Sequence, residues 1–473
     1  DPKYLANVYA LTKVLPPDID AVDINVNLGT TWVPANVVDE FVTHLLGDVR
    51  RNISYQESMG KWIAQIREPA NPTLARSRWG TAEIPANELI ASILTGRPIQ
   101  VKEEVGRNEN GSIIYQINET QTAVANQKAD EVRQAFQDWI WDDKDRREKL
   151  AYLYNERFNT NVPPAYDGSH LELPGSSLAI TLRPHQKNAI WRGIQDGGAL
   201  FDHRVGAGKT IVCVGTIMES RRMGLMKKPM VVVPNHLLLQ WKDSFYELYP
   251  NANILVAEKS DFTKDNREKL FGRIATGDWD AVIVAHSSFK KIGMPADTLD
   301  DILHEQIDDL TKSIAQLKSE SGERITIKEM EKARDRMQAR LERAAETGAK
   351  DRAVSFADLG VDALLVDESH EFKNLYITTA MTRVAGLGNL VGSDKAFDLF
   401  VKARHVQRTN DGRGVFFATG TPISNTIAEL YTVQRYMQYD ELKRRGIVHF
   451  DSWASTFGQV VTCLLYTSPS PRD

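Results

Sequence analysis

Residues 203–210 read His-Arg-Val-Gly-Ala-Gly-Lys-Thr. Glycines let a loop backbone close around phosphate oxygens with its N–H groups pointing inward. In that arrangement Gly206, Ala207 and Gly208 form the cradle and Lys209 reaches the β- and γ-phosphates. The Thr210 hydroxyl ligates Mg²⁺, and the helix expected over Thr210–Glu219 adds a dipole favourable to an anion. The full phosphate-loop pattern places glycine at position 203, where this chain has His203. Standing alone, the segment has a solvated glycine-rich turn as its lesser alternative.

Three further groups give it company. Leu364-Leu365-Val366 runs into Asp367-Glu368-Ser369-His370, an apolar run delivering two acids. Asp367 is expected to hold Mg²⁺, and Glu368 to polarise an attacking water. Phe416-Phe417-Ala418 leads into Thr419-Gly420-Thr421-Pro422, small hydroxylated residues placed to sense the state of His370. The plain alternative is an ordinary proline-containing turn. Upstream, Gln186 carries an amide that can pair bidentately with the N6/N7 edge of adenine, so it is the candidate for base specificity. The expected catalytic set is Lys209, Asp367, Glu368 and His370. The nucleotide set is Gln186 and Gly206–Thr210, the metal set Thr210 and Asp367, and the coupling set Thr419, Gly420 and Thr421.

The elements that must position these groups are legible as short apolar runs. Ala199–Phe201, Met230–Val233, Ile254–Ala257, Ala281–Ala285, Ala363–Val366 and Val415–Ala418 read as buried strands. Leu238, Trp241, Phe245 and Leu248 recur at helical spacing between two of them. Alternating strands and helices predict an α/β domain, a parallel sheet with helices on both faces, over residues 176–462. Loops following the strands are where backbone N–H groups and helix starts meet nucleic-acid phosphates. Asn235, His236, His286 and Ser287 are the candidates there, with turn and helix-cap roles as the even alternative.

One segment interrupts the alternation. Leu303, Ile307, Leu310, Ile314 and Leu317 follow a 4-3-4-3 spacing. Met330, Ala333, Met337, Leu341 and Ala344 repeat it after Ser321-Gly322, which predicts an antiparallel helical hairpin inserted over 296–352. Residues 1–175 form a mixed α+β region of unassigned role, with amphipathic patterns over Val37–Leu46 and Glu131–Phe158. A connector follows at Asn161–Ser177, with Pro163-Pro164 and Pro174-Gly175.

Composition sets outer bounds. The chain has 473 residues, which suggests roughly three domains. It is 42% hydrophobic and 26% charged, as in soluble globular proteins. No run of about 18 apolar residues occurs, so a membrane span is not expected. Lys and Arg number 58 against 63 Asp and Glu, a net charge of −5, so any contact with nucleic acid is confined to a groove. Two cysteines exclude a disulfide scaffold and a multi-cysteine zinc site. The tail Cys463–Asp473 resembles the conceptual translation of a transposase-type sequencing adapter, which predicts a chain cut at both ends.

Taken in order, the motifs resemble superfamily-two helicases and translocases of the Swi/Snf-like and DEAD/DEAH-box kind. Leu182–Gln186 resembles the Q-type motif, Gly206–Thr210 motif I and Val232–Trp241 motif Ia. Asp367–His370 resembles motif II and Thr419–Pro422 motif III. Glu371-Phe372-Lys373-Asn374 resembles the Swi/Snf-type extension of motif II, and His203 stands where those proteins often carry an acid. Tyr154–Phe158, Tyr166–Ser169, Ala281–Phe289 and Phe417–Asn425 resemble large phage and mobile-element proteins of the DarB antirestriction type, over roughly residues 20–460. These join an adenine-specific DNA methyltransferase to a helicase, although no Asn-Pro-Pro-Tyr motif occurs here.

The resemblance implies a RecA-like lobe using ATP and Mg²⁺, with duplex DNA as a sequence-independent partner, in the cytoplasm of a bacterial or phage-infected cell. It implies a second lobe that supplies an arginine finger worth about 10³–10⁵ in rate. With the first lobe alone, ATP turnover is expected to be barely measurable. Two other classes stay open: a P-loop kinase or NTPase acting on a small molecule, and a non-catalytic scaffold working through its helical hairpin.

Overall fold

The computed structural model describes residues 4–56, 61–107, 113–160, 162, 164–319, 328, 331–332, 334–339, 341–342, 354–377, 379, 392–424, 426 and 428–458. The chain forms two compact units. One contains residues 1–164 with Thr379–Thr382 and the chain from Gly446 onward; the other contains Ala165–Thr378 and Arg383–Arg445.

The first unit carries helices α1 (Leu5–Val14), α2 (Ala35–Leu46), α3 (Ala86–Thr95), α4 (Glu119–Ile140) and α5 (Lys144–Phe158). Two antiparallel ribbons complete it, β1 (Arg51–Gln56) with β2 (Lys61–Ile66), and β3 (Lys102–Arg107) with β4 (Ile113–Ile117). Apolar faces of α2, α3 and α4 close on one core, with Val38, Phe41, Leu89, Ile90, Val132 and Phe136 fully buried. The amphipathic pattern over Glu131–Phe158 is two helices. Asp143 caps the second, its carboxylate accepting the Arg146 N–H at 2.8 Å.

The second unit is built on a six-stranded, wholly parallel sheet. Its strands are β5 (Ala199–Phe201), β6 (Pro229–Val233), β7 (Ile254–Ala257), β8 (Ala281–Ala285), β9 (Ala363–Asp367) and β10 (Val415–Ala418). They lie in the order β5-β10-β9-β6-β8-β7. All six coincide with the apolar runs of the sequence. β6, β8, β9 and β10 are buried at every position, which is why they read as continuous rather than alternating runs.

Val231, Val233, Ile283, Leu365, Phe416 and Ala418 share a core with α6 (Pro184–Asp196), α7 (Lys209–Arg222) and α8 (Leu238–Leu248). The intervening residues Val232, Val282, Val284, Leu364, Val366 and Phe417 are equally buried but lie outside that cluster. α9 (Lys264–Thr276), α10 (His286–Phe289) and α11 (Ala296–Ser319) follow, then α12 (Asp394–Thr409), which packs against β9 and β10. The α/β architecture with a mixed region before it is therefore as expected. Of the predicted hairpin, α11 buries Leu303, Ile307 and Ile314 as the spacing required. Ser321, Gly322, Met330, Ala333, Ala344 and the tail 463–473 lie outside the described residues.

Candidate nucleotide-binding site

Register brings the motifs together. Phe201 pairs with Ala418, and Ala418 with Asp367, so the next residues of β5, β10 and β9 leave one edge of the sheet side by side. That edge is the carboxyl end of parallel strands, where open α/β sheets place their ligands. On the far side of β9, the residues after β6 and β8 leave beside one another, since Val233 pairs with Ala285. The edge thus presents a row: the 203–210 loop, Thr419, the acids at 367–368, then Asn235 and His286.

The loop has the geometry of a phosphate cradle. Gly206 and Gly208 adopt φ of 83° and 84°, values L side chains rarely take, and Gly208 caps α7 in that conformation. A Cβ on Gly208 would fall 2.3 Å from Gln186 Nε2, so the tight turn admits no larger residue without displacing that amide. Lys209 and Thr210 are the first two residues of α7. Lys209 Nζ donates to the His203 carbonyl at 3.1 Å, which holds the ammonium over the loop. In place of the first glycine, His203 keeps a half-buried ring 6.3 Å from Phe201 and nearly parallel to it, with its buried Nδ1 left without a hydrogen-bond partner. Burial holds the His203 imidazole below its usual range, with His185 and Lys209 adding to the effect.

Gln186 supports the loop. It accepts the Arg183 N–H at 2.8 Å, and its Nε2 donates to the Ala207 carbonyl at 3.1 Å. One further hydrogen and one further lone pair remain on that amide, which is 7% exposed.

The acids occupy the other wall. Asp367 is 6% exposed; its Oδ2 accepts the Trp241 indole N–H at 2.9 Å and its Oδ1 the Glu368 N–H at 2.9 Å. Burial pushes the Asp367 carboxyl up, the two N–H donors pull it down, Glu368 raises it and Lys209 lowers it. Burial raises the Cys213 thiol, Asp367 raises it further and Lys209 lowers it, so the loop lysine and the strand acid act on the same buried group. Glu368 sits at φ 48°, ψ 49°, a left-handed conformation uncommon outside glycine. Its carboxylate lies 3.2 Å from His370 Nδ1, which is 3.1 Å from the Thr419 hydroxyl. That hydroxyl also accepts the Thr421 N–H at 3.1 Å, while the Thr419 N–H reaches the Phe201 carbonyl at 3.1 Å. Glu368, His370, Thr419 and the strand before the loop therefore form one chain of contacts, with Gly420 beside the loop.

The expected nucleic-acid positions separate. Asn235 and His236 are exposed in a short turn before α8. Ser287 is half-buried, its N–H donated to Asn235 Oδ1 at 3.3 Å. His286, expected to face outward, turns inward. Its Nε2 lies 3.0 Å from the Asp367 carbonyl, and its ring meets Phe372 edge-on at 4.9 Å. Burial lowers its pKa to about 4, so it is a neutral structural donor rather than a cation for phosphate. Trp241 contributes to the site, and Lys373 lies in the turn that follows the acids. Lys373 Nζ joins Ser424 Oγ at 2.7 Å and Glu429 at 3.0 Å. A helical apolar position says nothing of where an indole N–H points; only its need for a buried partner is a hint.

The residues fit a magnesium–triphosphate. Among those described, no cluster of three or more His, Cys, Asp or Glu could cage a metal. One carboxylate and one hydroxyl beside a phosphate cradle match the way Mg²⁺ is usually held, by few protein groups together with phosphate oxygens.

Residues 191–467 match a family model described as a probable helicase domain, and residues 27–160 match a domain of unknown function. The defense against restriction protein B of Escherichia phage P1 is 23% identical over 371 residues. That match covers 68% of this chain and 16% of the phage protein, so the chain spans about a sixth of its relative. The Sulfolobus solfataricus SWI2/SNF2 ATPase core in complex with dsDNA aligns at 12% identity with a TM-score of 0.31, over 61% of this chain and 40% of that one.

Proposed function

This chain belongs to the probable helicase domain family, and from that premise we propose that its second unit is the ATP-binding lobe of a DNA-dependent ATPase. The reading is supported above all by one observation: three strands in mutual register end at one edge of one sheet with Phe201, Ala418 and Asp367, and Lys209 Nζ reaches back to His203, two residues past the first of them. In this reading the loop N–H groups and Lys209 bind the β- and γ-phosphates, and Thr210 and Asp367 hold the metal. Bound Mg²⁺ supplies charge neutralisation across those phosphates. Glu368 orients and polarises the attacking water. His370 and Thr419 report on the position of the Glu368 carboxylate and pass it to β10. Gln186 reads adenine from the loop it supports. Exposed Asn235 and His236 meet the DNA backbone, independently of sequence and sensitively to salt. The phage relative is named for defence against restriction, and a motor on DNA within such a system is the corresponding biological role.

The test is nucleotide affinity. Lys209→Ala removes the phosphate-binding ammonium and leaves the core intact. Titration with a fluorescent ATP analogue and Mg²⁺ is expected to show binding by the wild type and a loss of at least about tenfold in the variant, one charge-assisted contact being worth roughly 1.5–3 kcal/mol. Equal affinities would sink the reading. ATP turnover raised by a metabolite and indifferent to DNA would move the protein to the small-molecule NTPase class.

A further inference from the structure

Resting on that nucleotide-binding reading, we propose that Trp241 and His286 are positioning residues for Asp367. They hold that residue, at its carboxylate and at its backbone carbonyl, from the two elements that carry the loops after β6 and β8. Trp241 is 2% exposed on the core face of α8, where its indole N–H needs a buried partner. That N–H meets Asp367 Oδ2 at 2.9 Å. With Oδ1 held by the Glu368 N–H at 2.9 Å, both oxygens of the carboxylate are fixed while each keeps lone-pair capacity for a cation.

The backbone of the same residue is held from the other side. The Asp367 carbonyl can only accept, so His286 is the tautomer bearing hydrogen on Nε2, 3.0 Å away. His286 opens α10, and the carbonyl of Phe289 at the end of that turn accepts from the buried Lys402 Nζ at 2.9 Å. Lys402 is itself paired with Asp398 at 2.7 Å, so α10 is anchored at both ends. The two arms are joined: Asn235, in the turn feeding α8, accepts the N–H of Ser287, the neighbour of His286. A displacement of either loop therefore reaches Asp367 through one hydrogen bond, at its carboxylate from α8 and at its backbone carbonyl from α10. Groups that orient a metal ligand in this way typically change metal affinity by about 10–100-fold when removed.

The experiment uses the whole chain, a fluorescent ATP analogue and a Mg²⁺ titration. Trp241→Phe deletes the N–H together with the packing of the indole's second ring; His286→Leu deletes the carbonyl contact. Phe245→Leu, one turn further along α8 and equally buried, is the control for a general loss of packing. Trp241→Phe is expected to raise the Mg²⁺ concentration for half-maximal nucleotide binding by about tenfold. His286→Leu shifts it in the same direction, while nucleotide affinity in chelator is unchanged for both. Phe245→Leu lowers the melting temperature without moving the Mg²⁺ dependence. If Trp241→Phe tracks Phe245→Leu in both readouts, the positioning role is overturned while nucleotide binding stands. If the wild type itself shows no Lys209-dependent binding, the nucleotide reading fails and this inference falls with it.

Discussion

At the scale of single residues, the second unit keeps several polar groups in states that their solution chemistry would not choose. Asp367 is buried with its carboxyl pushed up, and Glu368 holds a left-handed backbone whose cost is of order 1–3 kcal/mol. Such strain persists only where surrounding contacts over-determine it, and the His370 and Thr419 contacts do so here. Histidines have a related cost. His405 on α12 lies edge-on to Phe356 at 6.1 Å, and burial alone lowers its pKa from 6.5. The folded state thus prefers the neutral ring, while the unfolded chain takes up a proton near pH 6.5. Stability is fully present above that value and falls as pH drops toward the lower folded pKa. His203 and His286 contribute with the same sign. Melting temperatures of wild type and His405→Leu between pH 8 and pH 5 check this. The wild type is expected to lose stability on acidification, and the variant to lose less. Parallel curves would show that His405 does not carry its share.

At the scale of elements, the phosphate loop depends on how closely α6 approaches α7. A Cβ on Gly193 would lie 2.8 Å from Thr216 Cγ2 and 3.1 Å from Phe201 Cζ, and one on Gly215 would lie 2.6 Å from Ile190 Cδ1. Both helices end at the site, α6 through Gln186 and α7 through Lys209, so prising them apart moves the amide that supports the loop. Gly193→Val is expected to cost about 1–3 kcal/mol in unfolding free energy and to weaken nucleotide binding with it. Gly272 in α9 has open space at its Cβ position, and Gly272→Ala is expected to stabilise by about 0.5–1 kcal/mol. Denaturant titrations of the pair give opposite signs if space decides, and like signs if helix propensity does.

What was legible at this scale follows the same physics. Six parallel strands, four of them buried at every position, leave short apolar runs, so their positions could be read directly. Gly-Lys-Thr and Asp-Glu are chemically rare enough in that setting to mark the site. The inward turn of His286, the aim of the Trp241 indole and the conformation of Glu368 are set by contacts with residues 81 and 126 positions away, or by a backbone strained from outside. No local periodicity encodes these.

At the scale of the whole molecule, the two units differ in how much of the chain each needs. The described core cluster that packs against α6, α7 and α8 draws on Leu171 through Ala418, all within the second unit. Apart from Thr379–Thr382, that unit is one continuous stretch from Ala165 to Arg445. The first unit is completed by the chain from Gly446, where Phe450 and Trp453 are buried and Thr456 Oγ1 lies 3.2 Å from Thr31 Oγ1. A domain with its own apolar core is able to fold alone, whereas one that loses a buried aromatic pair forfeits roughly 3–5 kcal/mol per ring. A polypeptide of residues 165–445 is therefore expected to melt cooperatively and to bind Mg²⁺–ATP as tightly as the whole chain. Residues 1–164 alone should melt below the same unit within the whole chain. Circular dichroism melts and the fluorescent nucleotide titration check both. Nucleotide binding lost on trimming to 165–445, despite a cooperative melt, would mean that the phosphate loop takes its shape from residues outside the second unit.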